Sequence, residues 1–104
     1  MLKDFFLGFV KIHILYHASK APIYGVEMLE ELARHGYRLS PGTVYPTLHR
    51  LARDGYLLRQ TRIVDGKVRK YYTITDRGLA ALDEARGKIK ELVDEVVNER
   101  QTQQ

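Results

Sequence analysis

The sequence predicts an α+β fold: three helices, a β-hairpin and one long final helix. Three observations carry that prediction. Apolar residues repeat at helical spacing through the first half, including Val44, Leu48 and Leu51 just after the helix-starting pair Ser40-Pro41. Asp65-Gly66 then separates two arms rich in β-branched and aromatic residues, a strong signal for a two-residue hairpin. Beyond the hairpin, Leu82, Ile89 and Val96 recur every seven residues, with Ala85 and Leu92 between them, as in a helical seam.

The totals bound the answer. A chain of 104 residues, 44% hydrophobic, fits one modest core and rules out a disordered polymer. Cysteine is absent, which excludes disulfides and thiolate metal sites and agrees with a reducing cytosol. The apolar run from Phe5 to Tyr16 is broken by Lys11 and His13, lacks a cleavage site and is too short to span a bilayer. The expected location is the cytoplasm.

Residues 3–18 read as the first helix. Phe5, Phe9, Ile12 and Tyr16 lie along one side; Phe6, Val10, Ile14 and the ring of His17 lie toward another. A helix apolar nearly all round must be covered on more than one side. One side fits a small helical core, and the other fits a partner subunit or the C-terminal helix. His13 and His17, four residues apart, can share one metal ion, but no carboxylate or cysteine completes a ligand set in sequence. Asp4 and Glu27 reach them only through folding, and packed or surface histidines fit the same pattern. His35 and His49 stand alone, so no metal ligands are assigned and no cofactor is expected.

Lys20-Ala21-Pro22 is a connector into a second helix over residues 24–36, closed by Gly36. Val26, Leu29, Leu32 and Ala33 form its expected inner stripe; Glu27, Glu30, Glu31 and Arg34 face solvent. A short turn leads to the third helix, residues 41–53. Ser40 suits its N-cap, Pro41 its first position, and Pro46 still falls within roughly its first turn and a half, where a missing N–H costs least. Thr43, Pro46, Thr47, His49 and Arg50 make up its expected polar face, and Asp54-Gly55 stops it. Two helices joined by a short turn, the second presenting a polar face, form a helix-turn-helix.

The hairpin arms are residues 57–64 and 67–75. Its tip carries Arg62, Lys67, Arg69 and Lys70. A basic hairpin directly after a helix-turn-helix reads as a wing that reaches phosphates or a minor groove. The same charges also blunt an exposed strand edge against aggregation. Thr75-Asp76 caps the last helix, residues 76 to about 99, which extends roughly 35 Å at 1.5 Å per residue and so outruns a small core. Its apolar stripe needs a partner, and residues 101–104 are expected to fray. The expected division is a DNA-binding unit over residues 1–75 and a dimerisation helix over residues 76–104.

Charge follows the same division. Residues 1–33 carry a net −1, residues 34–77 a net +7 and residues 78–104 a net −2. Positive charge confined to the segment with the groove helix and the wing points to a polyanion. There are no repeats, and no nucleophile elbow, phosphate loop or zinc-protease motif that would mark an enzyme.

The run Ser40–Leu51, followed by Asp54-Gly55-Tyr56-Leu57 and by Arg69–Gly78, closely resembles the PadR family of bacterial and archaeal transcriptional regulators. The resemblance covers about residues 8 to 82. Ser40, Thr43, Tyr45 and Pro46 fall on that family's most characteristic motif, and Arg69-Lys70-Tyr71-Tyr72 on its wing motif. Ile23-Tyr24-Gly25-Val26 stands where the family opens its second helix, which implies that Tyr24 lies near the DNA backbone; otherwise it staples the helix start. The single C-terminal helix resembles the short-tailed branch. The family mostly represses genes, and many members release DNA on binding a small, often aromatic molecule near the dimer interface. This chain has no tryptophan, so Phe5, Phe6 and Phe9 are the candidates to line such a pocket.

The reading is therefore a homodimeric winged-helix repressor on a pseudo-palindromic operator, with two groove helices about one DNA turn apart. Base reading is assigned to Thr43, Thr47 and Arg50, with His49 beside them. Phosphate positioning falls to Tyr24, Ser40, Tyr45, Lys67, Arg69 and Lys70. The dimer seam takes Phe5, Phe9, Leu82, Ala85, Ile89, Leu92 and Val96. The rival readings are a metal-responsive regulator using His13 and His17, and a winged helix that binds protein rather than DNA.

Overall fold

A computed structural model describes residues 1–99. Its elements are α1 (Leu2–Lys20), β1 (Ile23–Tyr24), α2 (Gly25–Arg34), α3 (Pro41–Arg53), β2 (Leu57–Val64), β3 (Lys67–Ile74) and α4 (Asp76–Leu92), then a π-helical turn over Val93–Val97. The expectation about residues 101–104 lies outside the described residues.

Local chemistry sets the boundaries. Leu32 and Ala33 carbonyls accept from Tyr37 and Gly36 N–H at 2.8 and 3.0 Å, closing α2 around a Gly36 at φ 88°. That paired closure needs a left-handed residue after the cap, which glycine adopts without strain. The same two bonds recur at the end of α3, from Tyr56 to Leu51 and from Gly55 to Ala52. Thr75 caps α4, its hydroxyl accepting from Gly78 N–H at 3.0 Å and donating to the Gly55 carbonyl at 2.6 Å. One side chain thus starts the last helix and ties it to the end of the third.

The hairpin pairs from Leu57↔Ile74 to Val64↔Lys67, and its turn residues Asp65 and Gly66 have φ of 52° and 75°. Two successive positive φ values match the twist of the flanking strands. The connector reading missed β1. Ile23 pairs with Tyr72 and Tyr24 with Tyr71, giving an antiparallel sheet in the order β1-β3-β2. Two residues are too few for periodicity to reveal, but they fix the base of the wing to the start of α2.

The core takes Val10, Ile14, Leu15 and Ala18 from α1, Met28 and Leu32 from α2, and Val44, Leu48 and Leu51 from α3. Ile23, Leu57 and Tyr72 close it from the sheet, and Leu82 from α4. Two expectations are corrected here. The inner stripe of α2 is Met28 and Leu32 flanked by Leu29, while Val26 and Ala33 are exposed. Leu82, expected in the dimer seam, is only 2% exposed and packs inside its own chain. The first turns of α4 lie against α1 and β3, so the apolar heptad begins in the core and leaves it only further on.

Candidate nucleic-acid interface

Helix α3 buries Val44, Thr47, Leu48 and Leu51, positions i, i+3, i+4 and i+7 of one stripe. Thr47 was expected on the groove face and is not there. It is 1% exposed, and its hydroxyl donates to the Thr43 carbonyl one turn back at 2.7 Å. Satisfying its polar atom locally lets a threonine occupy a core position. The outer face is consequently Tyr45, Pro46, His49 and Arg50, with Thr43 half-buried at its edge.

Ser40 occupies the N-cap position of α3, but its side chain does not cap the helix. Its hydroxyl stands 3.4 Å from that of Thr43, while its backbone carbonyl accepts from Thr43 and Val44 N–H. Two hydroxyls are thus grouped at the positive end of α3.

Across from α3 stands the wing. Strand register decides which of its side chains face the helix, because alternate residues point to opposite sides. Leu57, buried in the core, shares its side with Arg59, Thr61, Tyr72 and Lys70; Tyr71, Arg62, Arg69 and Lys67 lie on the other. Tyr45 and His49 of α3, Tyr24 of β1 and Gly25 of α2, and Arg59 and Lys70 of the wing enclose a cleft of about 470 Å³, bordered also by Arg69. Arg59 was not singled out from sequence. The signal was its place two residues after Leu57, on the same side of the strand. Among the described residues Arg50, Arg59, Lys67, Arg69 and Lys70 form no ion pair.

On the outer side of the wing Arg62 and Arg69 face each other across the strands, a like-charge pairing that costs stability unless an anion lies between. Arg62 instead rests 4.5 Å from the centroid of Tyr71, and Tyr71 raises its pKa. Tyr71 in turn lies 6.1 Å from Tyr24, so Tyr24 borders both the cleft and the aromatic support of the wing.

A second recess lies away from this face, between the start of α1 and the end of α4. Phe5, Phe9 and Ile12 line one wall and Ile89, Leu92, Val93 and Val96 the other, around a volume of about 500 Å³. Five residues expected in the dimer seam meet here; Ala85, half-buried, lies outside the lining. Phe6, expected in the same pocket, points elsewhere, its ring 6.3 Å from that of Tyr37. One residue further along a helix is a rotation of about 100°, enough to carry it off this wall. Separately, His35, which stands alone in sequence, folds against His13 and His17.

A helix-turn-helix whose second helix shows an open face, flanked by a basic two-stranded wing, defines a winged-helix transcriptional regulator. The chain belongs to the transcriptional regulator PadR-like family, whose model matches residues 14–84. It is 48% identical over 96 residues to the transcriptional regulator Rv3488 of Mycobacterium tuberculosis (strain ATCC 25618 / H37Rv), covering 92% of this chain and 90% of that protein. Its structure is similar to the crystal structure of a PadR family transcriptional regulator from Eggerthella lenta DSM 2243, with a TM-score of 0.81 and 32% identity over 94% of this chain and 87% of that one. A PadR-like regulator from Bacillus cereus strain ATCC 14579 gives a TM-score of 0.80 and 33% identity over 90% and 93% of the two chains. Regulators of this family bind DNA and are not enzymes. Among the described residues no helix is long and apolar enough to cross a membrane.

Proposed function

We propose that this chain represses transcription by binding a pseudo-palindromic operator as a homodimer. The observation that carries the reading is the unpaired basic cleft between α3 and the wing. In the proposed complex α3 enters the major groove, with Arg50 and His49 reaching base edges and Thr43 and Pro46 at their margin. Tyr24, Ser40, Tyr45, Lys67, Arg69 and Lys70, joined by Arg59, hold phosphates.

Dimerisation is proposed through the α1–α4 recess. Val96 and Val97 are 64% and 70% exposed there, and Phe5 is 47% exposed; an apolar surface of this kind on a helix end is stabilised by a second copy. A small aromatic effector is proposed to enter the same recess beside Phe5 and Phe9 and to release DNA by altering the pairing of the two chains.

The test is binding to the chain's own upstream DNA against random DNA of equal length over a salt series. The expected result is a preference of roughly 10³-fold or more, with a steep fall in affinity as salt rises. Equal affinity for both, with no site recovered by selection from a random library, would instead favour a winged helix that binds protein.

A further inference from the structure

Three of the four histidines converge at one point, and none of the three lines the cleft between α3 and the wing. His13 and His17 lie one turn apart on α1, and His35 caps α2; one ring nitrogen from each lies within 4.8 Å of the others. The rings of His13 and His35 stack at 4.8 Å, and those of His13 and His17 are within 13° of parallel at 6.5 Å. A carboxylate adjoins two of the three. Glu31, one turn before His35 on α2, places Oε1 3.3 Å from His17 Nε2 and 3.4 Å from His35 Nε2.

Those distances fit a known geometry. A tetrahedral ion with bonds of about 2.0–2.1 Å separates its ligand atoms by about 3.3–3.4 Å. Two of the edges already have that length. No histidine separation exceeds it by more than about 1.5 Å, a gap that side-chain rotation closes.

We propose that His13, His17, His35 and Glu31 form a tetrahedral site for a divalent first-row transition-metal ion of the zinc class. Three imidazoles and one carboxylate, with no thiolate, suit Zn²⁺, Co²⁺ and Ni²⁺ rather than a soft monovalent ion or an all-oxygen Mg²⁺ or Ca²⁺ site. Arg34 orients Glu31, its Nε donating to Oε2 at 3.1 Å, which leaves Oε1 to the histidines. Tyr37 walls the His13 side, its ring 5.6 Å away and edge-on.

Two ligands come from α1, one from α2 and one from the C-cap of α2. Occupancy therefore ties the helix that carries Phe5 and Phe9 to the helix that opens the helix-turn-helix. This proposal does not depend on how the chain meets DNA, and its test reads metal alone.

Chelator-stripped protein is titrated with Co²⁺ while visible absorption is recorded, then with Zn²⁺ in competition, and melting is followed with and without Zn²⁺. The expected result is one ion per chain, the intense visible bands of tetrahedral Co²⁺, and a higher melting temperature with Zn²⁺. His35→Ala should lose those bands and weaken Zn²⁺ binding by at least about a hundredfold, since changes beyond the ligands themselves already cost about 10–100-fold. Glu31→Gln, which keeps the side-chain shape, should lower affinity and change the Co²⁺ spectrum. Metal-free far-UV circular dichroism and melting establish that both variants fold. Absence of stoichiometric binding to the wild type, or wild-type binding by folded His35→Ala, would overturn the proposal.

Discussion

The ring of Tyr45 lies directly across Gly25. A Cβ added at residue 25 would fall 1.9 Å from Tyr45 Cε1 and 2.6 Å from Cδ1. The start of α2 has no side chain at the point where α3 lays its tyrosine, and that bare backbone fixes where the ring projects into the cleft. Tyr45 is half-exposed, so it can swing outward when the space is filled.

Gly25→Ala should therefore displace the tyrosine more than it disturbs the fold. Unfolding free energy is expected to change by less than about 1 kcal/mol, because better helix propensity offsets the crowding. DNA affinity should fall about tenfold, the loss of one good hydrogen bond to a charged group. In a Tyr45→Ala background the same Gly25→Ala change should alter affinity less than about twofold. Fluorescence anisotropy on operator DNA measures all four combinations; equal losses in both backgrounds would mean that Gly25 acts on something other than Tyr45.

Arg50 and Lys70 should fail in different ways. Arg50→Ala is expected to cost about 1–3 kcal/mol on the operator and much less on random DNA, because a base contact exists only on the correct sequence. Lys70→Ala should weaken both equally and lower the salt slope by about one unit. Parallel losses on the two DNAs for Arg50→Ala would move that residue from the base edges to the backbone.

Much of this arrangement is legible in the sequence. The bounds of α3, the Asp65-Gly66 turn and the capping Thr75 each follow from local chemistry that neighbouring residues cannot override. The misplaced residues each have a cause of their own. Thr47 is polar by composition but meets its hydrogen bond within its own helix, so polarity did not report exposure. Met28 rather than Val26 faces inward because α2 is short and its orientation is set by the pairing of β1 with β3. Leu82 kept the heptad spacing while lying in the core, since a seam and a buried stripe share one periodicity. Arg59 and the meeting of His35 and Glu31 with His13 and His17 depend on which elements pack together, and a linear pattern does not carry that.

Thr47→Val tests the reassignment of the groove face. The substitution keeps the shape and removes a hydroxyl whose acceptor, the Thr43 carbonyl, is part of the helix. Operator preference should be unchanged, and stability should move by no more than about 1 kcal/mol. A changed base preference in binding-site selection would return Thr47 to the interface.

The two ends of the last apolar stripe should separate core from assembly. Leu82 is fully buried in its own chain, so Leu82→Ala removes packing and leaves a cavity, at about 2–5 kcal/mol. Its melting temperature should drop at every protein concentration. Ile89 lies in the α1–α4 recess, where a charge in Ile89→Glu is buried beside Phe5, Phe9, Leu92 and Val96 if a second chain closes over it. That variant should keep its secondary structure, sediment as a monomer and bind a full operator much more weakly than the wild type, because the two half-sites are no longer engaged together. Analytical ultracentrifugation across a concentration range distinguishes the cases. A dimer that survives Ile89→Glu would place the contact on the exposed start of α1 alone, and a monomer produced by Leu82→Ala without loss of stability would put Leu82 back into the seam.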